Sequence, residues 1–421
     1  MIVKSFVLRK ETADRIAQEC TEGSVIVVRP EKKLEALFRD VIRKALVEKR
    51  PLEDDFFHIK EYYEKLSDEP SYRAKLESTL SALSAYLSEG MFIQATLSSI
   101  EDYVLVKCAR LCAEAVNVAV GGTLIDGTEL MICKQQGSHT VVDWSMSRAE
   151  IARRCTSEGK IVISGGFGRL ESGYVVRIGR GGAYLMTTLV ASAIDAKRVE
   201  FYVEENGIAG VNAMTYDEAA HYCASPKAFL PSAALWPVKA AGIPVVIRNI
   251  MDTSFSGTVI SSQGASDGRT VSGVILDKDL VLLTVFGTGL LGQVGLSSAV
   301  FSAMSSAGVN VRFISQSCSE YSLSFAVRSE DADIAEAEIS RRVSGTGDYD
   351  DVMLLRRSIG IVTVYGDRMK NVAGTSGKVY SALGRQGISV VAAAQGGEEL
   401  SISIAVDLKD ADKAAKILES L

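Results

Sequence analysis

The sequence predicts an α/β protein. We expect a domain with a mostly parallel sheet and helices on both faces, followed by two βαββαβ units. Three observations predict this: a strand–helix–strand opening, apolar strands alternating with helices as far as residue 247, and an internal repeat in the last third of the chain.

The first ninety residues contain the opening and an insertion. Residues 2–8 and 24–28 are short apolar runs typical of buried strands, and 13–22 has helical spacing. Residues 31–90 are charged and contain glycine only at Gly90. This composition predicts an all-helical insertion within a first domain that spans 1–265.

Strand-like and helical runs then alternate. After a helix over about 100–116, we predict strands at 123–125, 129–132, 160–164, 199–203 and 244–247, and helices at 147–157, 183–195 and 216–223. Apolar strands separated by helices favour a sheet whose two faces are both covered.

The last third contains a repeat with an offset of 79. Gly295 matches Gly374, Gln316 matches Gln395, and the register runs without a gap to Val327 and Val406. Each copy predicts a strand, a glycine turn, a helix, two strands and a helix. We place one unit at 266–356 and the other at 357–421. The second lacks a strand, which 271–276 can supply, so we expect the two units to interlock.

Composition excludes several classes of function. The net charge is −6 without a basic stripe, and apolar runs stop short of about 18 residues, so we expect neither nucleic-acid nor membrane binding. The seven cysteines are widely spaced and form no CxxC motif, which is typical of a reducing compartment. We therefore expect a cytoplasmic protein without a metal site.

The repeats resemble ACT domains, which bind amino acids. The first reads GTGLLGQVGLSSAVFSAMSSAGVNVRFISQSCSEYSLSFAV. Upstream, IVISGGFGRLESGYVVRIGRGG and TYDEAAHYCASPKAFLP resemble phosphate-site segments of aspartokinases, in the style of the kinase half of bifunctional aspartokinase–homoserine dehydrogenases. The resemblance implies an amino-acid-kinase fold that transfers the γ-phosphoryl group of Mg-ATP to aspartate.

Two of the substrate-binding motifs that the resemblance implies are altered. The family has Lys-Phe-Gly-Gly-Thr-Ser at its first strand, but here Lys4-Ser5-Phe6-Val7-Leu8 lacks the glycines, and Lys4 is a candidate replacement lysine. The family has Arg-Gly-Glu at the aspartate site, whereas this chain has Ser99-Ile100-Glu101. Glu101 is a candidate aspartate contact, and it is also explained as an acid at a helix N-terminus.

Other phosphate-site features that the resemblance implies are retained. Lys227 matches the family's phosphate lysine, although the nucleotide loop before it is shortened. The two glycine turns either bind phosphate or serve the fold, and the family's Ser-Asp after the second is replaced by Ala183-Tyr184. The candidate phosphate residues are Gly165, Gly166, Gly168, Gly179, Arg180, Gly181 and Gly182.

The first repeat is the better candidate sensor. Asn310 lies where the family contacts the effector's amino-acid group, whereas the second copy has Ser389. The alternative is that the units serve dimer packing alone. The candidate effector residues are Gly292, Gln293, Val294, Gly295, Asn310, Gln316, Ser319 and Glu320.

Two hypotheses follow. In the first, the chain is a catalytically silent relative of aspartokinases that senses threonine or lysine, forms a homodimer through its ACT units and regulates an active aspartokinase. In the second, it is an active, feedback-regulated aspartate kinase that uses Mg-ATP. A related kinase acting on another carboxylate or carbamate is a third, weaker alternative.

Overall fold

A computed structural model describes most of the chain. The described residues are 1–89, 96–136, 139–156, 159–179, 181–204, 208, 211–225, 228–252, 254–264, 270–286, 295–316, 322–344 and 353–421. They form two compact units, one made of 1–219 and 229–265, the other of 220–228 and 266–421.

The strands of residues 1–265 are β1 Ile2–Leu8, β2 Ser24–Pro30, β3 Thr123–Ile125, β4 Ile132–Gln136, β5 His139–Val142, β6 Ile161–Ser164, β7 Phe167–Leu170, β8 Val175–Arg177, β9 Arg198–Val203, β10 Ala213–Thr215, β11 Val245–Asn249 and β12 Thr258–Ser261. The helices are α1 Ala13–Glu19, α2 Lys32–Arg43, α3 Glu53–Glu64, α4 Pro70–Glu89, α5 Leu97–Val120, α6 Gly127–Leu130, α7 Trp144–Arg154, α8 Gly182–Ala193, α9 Tyr216–Cys223 and α10 Trp236–Ala241.

The main sheet of the first unit is largely parallel, as predicted. In the part of the chain that the structure describes it has eight strands, in the order β10-β12-β11-β9-β1-β2-β6-β3. Six of these run parallel from β11 to β3, and β12 is antiparallel to β11. Their carboxyl ends therefore meet at one edge, where ligands bind in open α/β sheets.

Helices α2 to α4 account for the insertion, and together with α5 they form much of the first core. Tyr63 and Tyr72 are fully buried there, and the Tyr63 hydroxyl donates to the Cys108 carbonyl at 3.1 Å. The predicted strand at 129–132 is wrong, because residues 127–130 form α6. The Asp126 carboxylate accepts from the Thr128 N–H at 3.0 Å and so starts a helical turn at that point.

The second unit contains β13 Gly273–Phe286, α11 Leu296–Ser306, β14 Phe313–Gln316, β15 Ser322–Arg328, α12 Ala332–Ile339, β16 Met353–Tyr365, α13 Thr375–Arg385, β17 Val390–Gln395, β18 Ser401–Asp407 and α14 Ala411–Glu419. The described strands form one antiparallel sheet in the order β14-β15-β13-β16-β18-β17.

Strands β13 and β16 are long because each takes part in both repeats. The first half of β13 pairs with the second half of β16, at Gly273–Asp277 against Ile361–Tyr365. The second half of β13 pairs with β15, and the second half of β16 with β18. The first repeat thus includes the first half of β16, which follows it in sequence, and the second repeat includes the first half of β13, which precedes it.

Candidate functional site

The carboxyl edge of the main sheet carries an ion cluster formed by the chain itself. Arg9 directly follows β1, Glu31 follows β2 and Glu204 follows β9. The Arg9 Nε lies 3.0 Å from Glu31 Oε2, and its Nη1 lies 2.5 Å from Glu204 Oε1. Sequence reasoning missed Arg9, which follows the β1 residues that replace the expected phosphate turn.

Lys4 lies away from that edge. It is 5% exposed, and its Nζ lies 3.3 Å from Glu200 Oε2 and donates to the Glu19 carbonyl. Four residues separate Lys4 from the end of β1 at Leu8, about 13 Å along a strand. Burial alone would raise the pKa of Glu200, but Lys4 and Arg198 lower that pKa below its usual value. A phosphate role for Lys4 stays a prediction, and its observed partner is a buried carboxylate.

Glu101 is held by a guanidinium that the sequence motif did not predict. Its Oε2 lies 3.1 Å from Arg177 Nη2 in β8 and 3.9 Å from Arg39 Nε in α2. The alternative explanation as a helix N-terminal acid is wrong, because α5 begins at Leu97 with Thr96 as its cap and has no acid in its first turn.

Asp102 completes this cluster and was also missed. It is buried, and its carboxylate accepts three hydrogen bonds from Arg177: from the backbone N–H, from Nε and from Nη2, each at 3.0 Å. Burial by itself would lower the pKa of Arg177, but the bonds to Asp102 and Glu101 raise it above its usual value. Asp102 and Arg177 are 75 residues apart, so no local pattern pairs them.

The two glycine turns lie against each other. The Ile178 N–H donates to the Gly166 carbonyl at 3.2 Å, and a Cβ on Gly182 would lie 3.1 Å from that oxygen. Gly181 has φ +81, and a Cβ there would lie 2.3 Å from Pro231 Cγ. A Cβ on Gly165 would meet Val27 Cγ1 at 2.8 Å. Packing alone therefore accounts for three of these glycines.

Gly168 and Gly179 complete the described members of the turns. A Cβ on Gly168 would lie 2.6 Å from the Met131 carbonyl oxygen, and Gly179 accepts at its carbonyl from the Gly182 N–H at 3.2 Å. The remaining candidates of the kinase half, Arg180 and Lys227, lie outside the described residues.

Tyr184 lies in the first turn of α8. It is 4% exposed, and its ring meets Phe201 edge-on at 5.2 Å between centroids. The Arg29 guanidinium carbon lies 4.5 Å from the ring centroid, and the same guanidinium donates to the Tyr184 hydroxyl. An aromatic ring and a paired cation thus lie where the resemblance implies a carboxylate near phosphates and metal.

The effector candidates fall in the second unit. Gly295 caps α11 with φ +106, Asn310 is exposed before β14, and Gln316 ends that strand. Gly292, Gln293, Val294, Ser319 and Glu320 lie outside the described residues.

The matching positions of the second repeat are described. The Gln395 side chain accepts from the Ser376 hydroxyl at 3.2 Å, at the start of α13. The Glu399 carboxylate accepts from the Asn371 N–H at 2.8 Å. In this repeat the glutamine and the glutamate therefore contact the glycine turn and the helix that follows it.

A known domain family matches the two repeats, and a known structure matches the fold of the chain. The family model described as "ACT domain" matches residues 283–342 and 362–420, so the two repeats are ACT domains. The fold of the whole chain matches the crystal structure of an aspartate kinase from Clostridium acetobutylicum with a TM-score of 0.81 and 18% identity, covering 100% of this chain and 99% of that one.

Sequence relatives agree. The chain is 26% identical over 447 residues to a chloroplastic bifunctional aspartokinase/homoserine dehydrogenase 1 of Zea mays, covering 97% of this chain and 48% of that protein. It is 28% identical over 307 residues to the bifunctional enzyme of Haemophilus influenzae, covering 70% and 38%. The predicted resemblance is confirmed: the chain is similar to aspartokinases, and it spans about half the length or less of these relatives.

The described residues contain no group of three or more histidine, cysteine, aspartate or glutamate side chains placed to hold a metal ion. Across the same part of the chain, no helix combines the length and apolar character needed to cross a membrane.

Proposed function

We propose that this chain is a catalytically silent member of the aspartokinase group, acting in the aspartate pathway as an amino-acid-sensing regulatory protein. The observation that carries the proposal lies at the first turn of α8, where Ala183 and Tyr184 replace the family's hydroxyl and carboxylate and the Arg29 guanidinium contacts the Tyr184 ring and hydroxyl.

The needs of phosphoryl transfer explain why the contact between Tyr184 and Arg29 matters. The reaction needs a metal held by oxygen ligands and cations free to neutralise phosphate charge. A phenol is a poor Mg²⁺ ligand, and the Arg29 guanidinium already donates to the Tyr184 hydroxyl. Arg9 and Arg177 are likewise paired with carboxylates of the chain. These contacts support loss of turnover, because a triphosphate would have to displace several internal ion pairs.

The altered aspartate motif also supports the hypothesis that the chain is catalytically silent. A clamp for aspartate needs an unpaired guanidinium to bind a substrate carboxylate through two hydrogen bonds. The guanidinium nearest to Glu101 is that of Arg177, which donates two hydrogen bonds to Asp102. The Arg39 guanidinium lies farther from Glu101, at 3.9 Å, and is paired with Glu35.

The sensing part of the proposal rests on the first ACT domain. Gly295 opens α11 with open space around its Cα, and the N–H groups at a helix start suit an effector carboxylate. Asn310 is exposed and offers an amide to the effector. We propose threonine or lysine as the effector, a homodimer through the ACT domains, and an active aspartokinase as the regulated partner.

Calorimetric titration tests the sensor. We expect threonine or lysine to bind the wild-type protein saturably, and Asn310→Ala to weaken that binding about tenfold or more, the cost of one hydrogen bond to a charged group. Ser389→Ala, at the matching position of the second repeat, is the control and should leave affinity unchanged. Equal affinity in wild type and Asn310→Ala would refute the assigned site.

An active, feedback-regulated aspartate kinase is the second candidate. The retained glycine turns favour it, since Gly166, Gly179 and Gly181 all keep positive φ beside the start of α8. Titration with Mg-ATP separates the candidates: the silent reading predicts no saturable binding at millimolar nucleotide, and the active reading predicts binding that aspartate does not abolish.

A further inference from the structure

A small cationic cavity lies between α4 and α5, away from the carboxyl edge of the sheet. Its volume is about 120 Å³, well below the roughly 300 Å³ or more of a site for a drug-sized molecule. Its lining consists of Lys75, Thr79, Lys107, Arg110, Leu111 and Glu114.

Helical spacing creates this cavity. Lys107, Arg110 and Glu114 are three and four residues apart on α5, so they share one face of the helix. Lys75 and Thr79 are four residues apart on α4 and face them. The lining is at least ten residues, about 15 Å of helix, from the ends of α4 and α5 that flank residues 90–95.

Two of the three cations of this cavity lack acidic partners among the described residues. Within the described residues, neither Lys75 nor Lys107 has a carboxylate within 4.0 Å, and the recorded neighbour of the Lys107 ammonium is the Tyr103 ring at 5.4 Å. Two other lysines of the insertion are paired and can serve as a comparison: Lys60 lies 3.0 Å from Glu77, and Lys65 lies 3.1 Å from Glu61.

Arg110 completes the cationic lining. Its Nη1 is 3.1 Å from Asp126 Oδ2, and its side chain is 43% exposed, so the accessible part of its guanidinium can contact an oxyanion in the cavity. Three cations and one carboxylate give the lining a charge of +2 in a chain whose net charge is −6.

We propose that this cavity binds a phosphate group, either free phosphate or the phosphate of a small phosphorylated metabolite. Lys75 and Lys107 neutralise its charge, Arg110 donates from the accessible part of its guanidinium, and the Thr79 hydroxyl supplies a further donor. The tetrahedral dianion fits because it needs several donors from different directions and a compensating charge close to +2.

Calorimetric titration of the full chain with inorganic phosphate at constant ionic strength tests the site. We expect saturable binding to wild type, weakened about tenfold in Lys75→Gln/Lys107→Gln, since each exposed charge contributes a few-fold. The matched control is Lys60→Gln/Lys65→Gln, which removes two paired lysines of the same insertion and should bind like wild type.

A second variant tests the charge argument without removing a cation. Glu114→Gln deletes the acid of the lining, so phosphate should bind a few-fold more tightly. Tighter binding of glycerol phosphate than of inorganic phosphate would identify a phosphorylated metabolite, and the reverse order would identify free phosphate. Equal phosphate affinity in wild type and Lys75→Gln/Lys107→Gln, or no saturation in wild type, would overturn the proposal.

Discussion

Replacing Asp102 with alanine is expected to destabilise the first unit strongly. The change removes three hydrogen bonds at 3.0 Å to Arg177 and leaves a half-buried guanidinium with Glu101 as its main recorded partner. A hydrogen bond to a charged group contributes about 1.5–3 kcal/mol, and losing one partner of a buried pair costs about 3–5 kcal/mol. Because Arg177 keeps Glu101 and its side chain is 30% exposed, we discount this to about 3 kcal/mol.

Urea unfolding followed by tryptophan fluorescence measures this cost. Both tryptophans, Trp144 and Trp236, belong to the first unit, so the signal reports that unit. Asp102→Asn should give an intermediate loss, since it keeps part of the hydrogen bonding. Glu150→Ala removes an exposed carboxylate that also pairs with arginines and should change little. A loss below about 1 kcal/mol for Asp102→Ala would refute the reasoning.

Three further outcomes are expected. The pKa of Glu200 is lower in the folded than in the unfolded protein, so its carboxylate stabilises the fold above the unfolded pKa and loses this effect as pH falls. The difference in unfolding free energy between wild type and Glu200→Gln, measured by urea unfolding, should therefore shrink below about pH 4. A difference that does not depend on pH would count against the Lys4–Glu200 pair. Gly181→Ala should lower the free energy of unfolding by about 2–4 kcal/mol in the same assay, because the residue has positive φ and a Cβ would contact Pro231. The control Gly242→Ala has only the φ penalty and should lower it less. Equal losses in the two variants would contradict the packing argument. Burial raises the pKa of Cys20, Cys133 and Cys155 to about 11. Iodoacetamide at pH 8, followed by mass spectrometry, should therefore alkylate these cysteines more than about 100-fold more slowly in the native than in the unfolded protein. Comparable rates would be inconsistent with their burial.

Much of the fold could be predicted because its signals are local. The opening strands, the helical insertion and the repeat all follow from apolar spacing and from glycine positions within short segments. The error at residues 129–132 has a local cause too: Asp126-Gly127-Thr128-Glu129 is an N-cap pattern, and its capping hydrogen bond prevails over the apolar run that suggested a strand.

The candidate site was less predictable because its partners are distant in sequence. Arg29 and Tyr184 are 155 residues apart, and Arg177 and Asp102 are 75 apart. The altered motifs indicated only that the phosphate and aspartate positions have other residues than the family's. Which side chains occupy that space depends on the order of strands in the sheet, which residue spacing alone does not determine.

The release of ADP tests the central claim most directly. The protein is incubated with Mg-ATP and aspartate, and ADP is followed by a coupled assay, with an active aspartokinase as the positive control. The account predicts no release above the rate without aspartate, in the presence or absence of threonine and lysine. Robust aspartate-dependent turnover that disappears in Lys227→Ala would contradict it and would establish an active kinase.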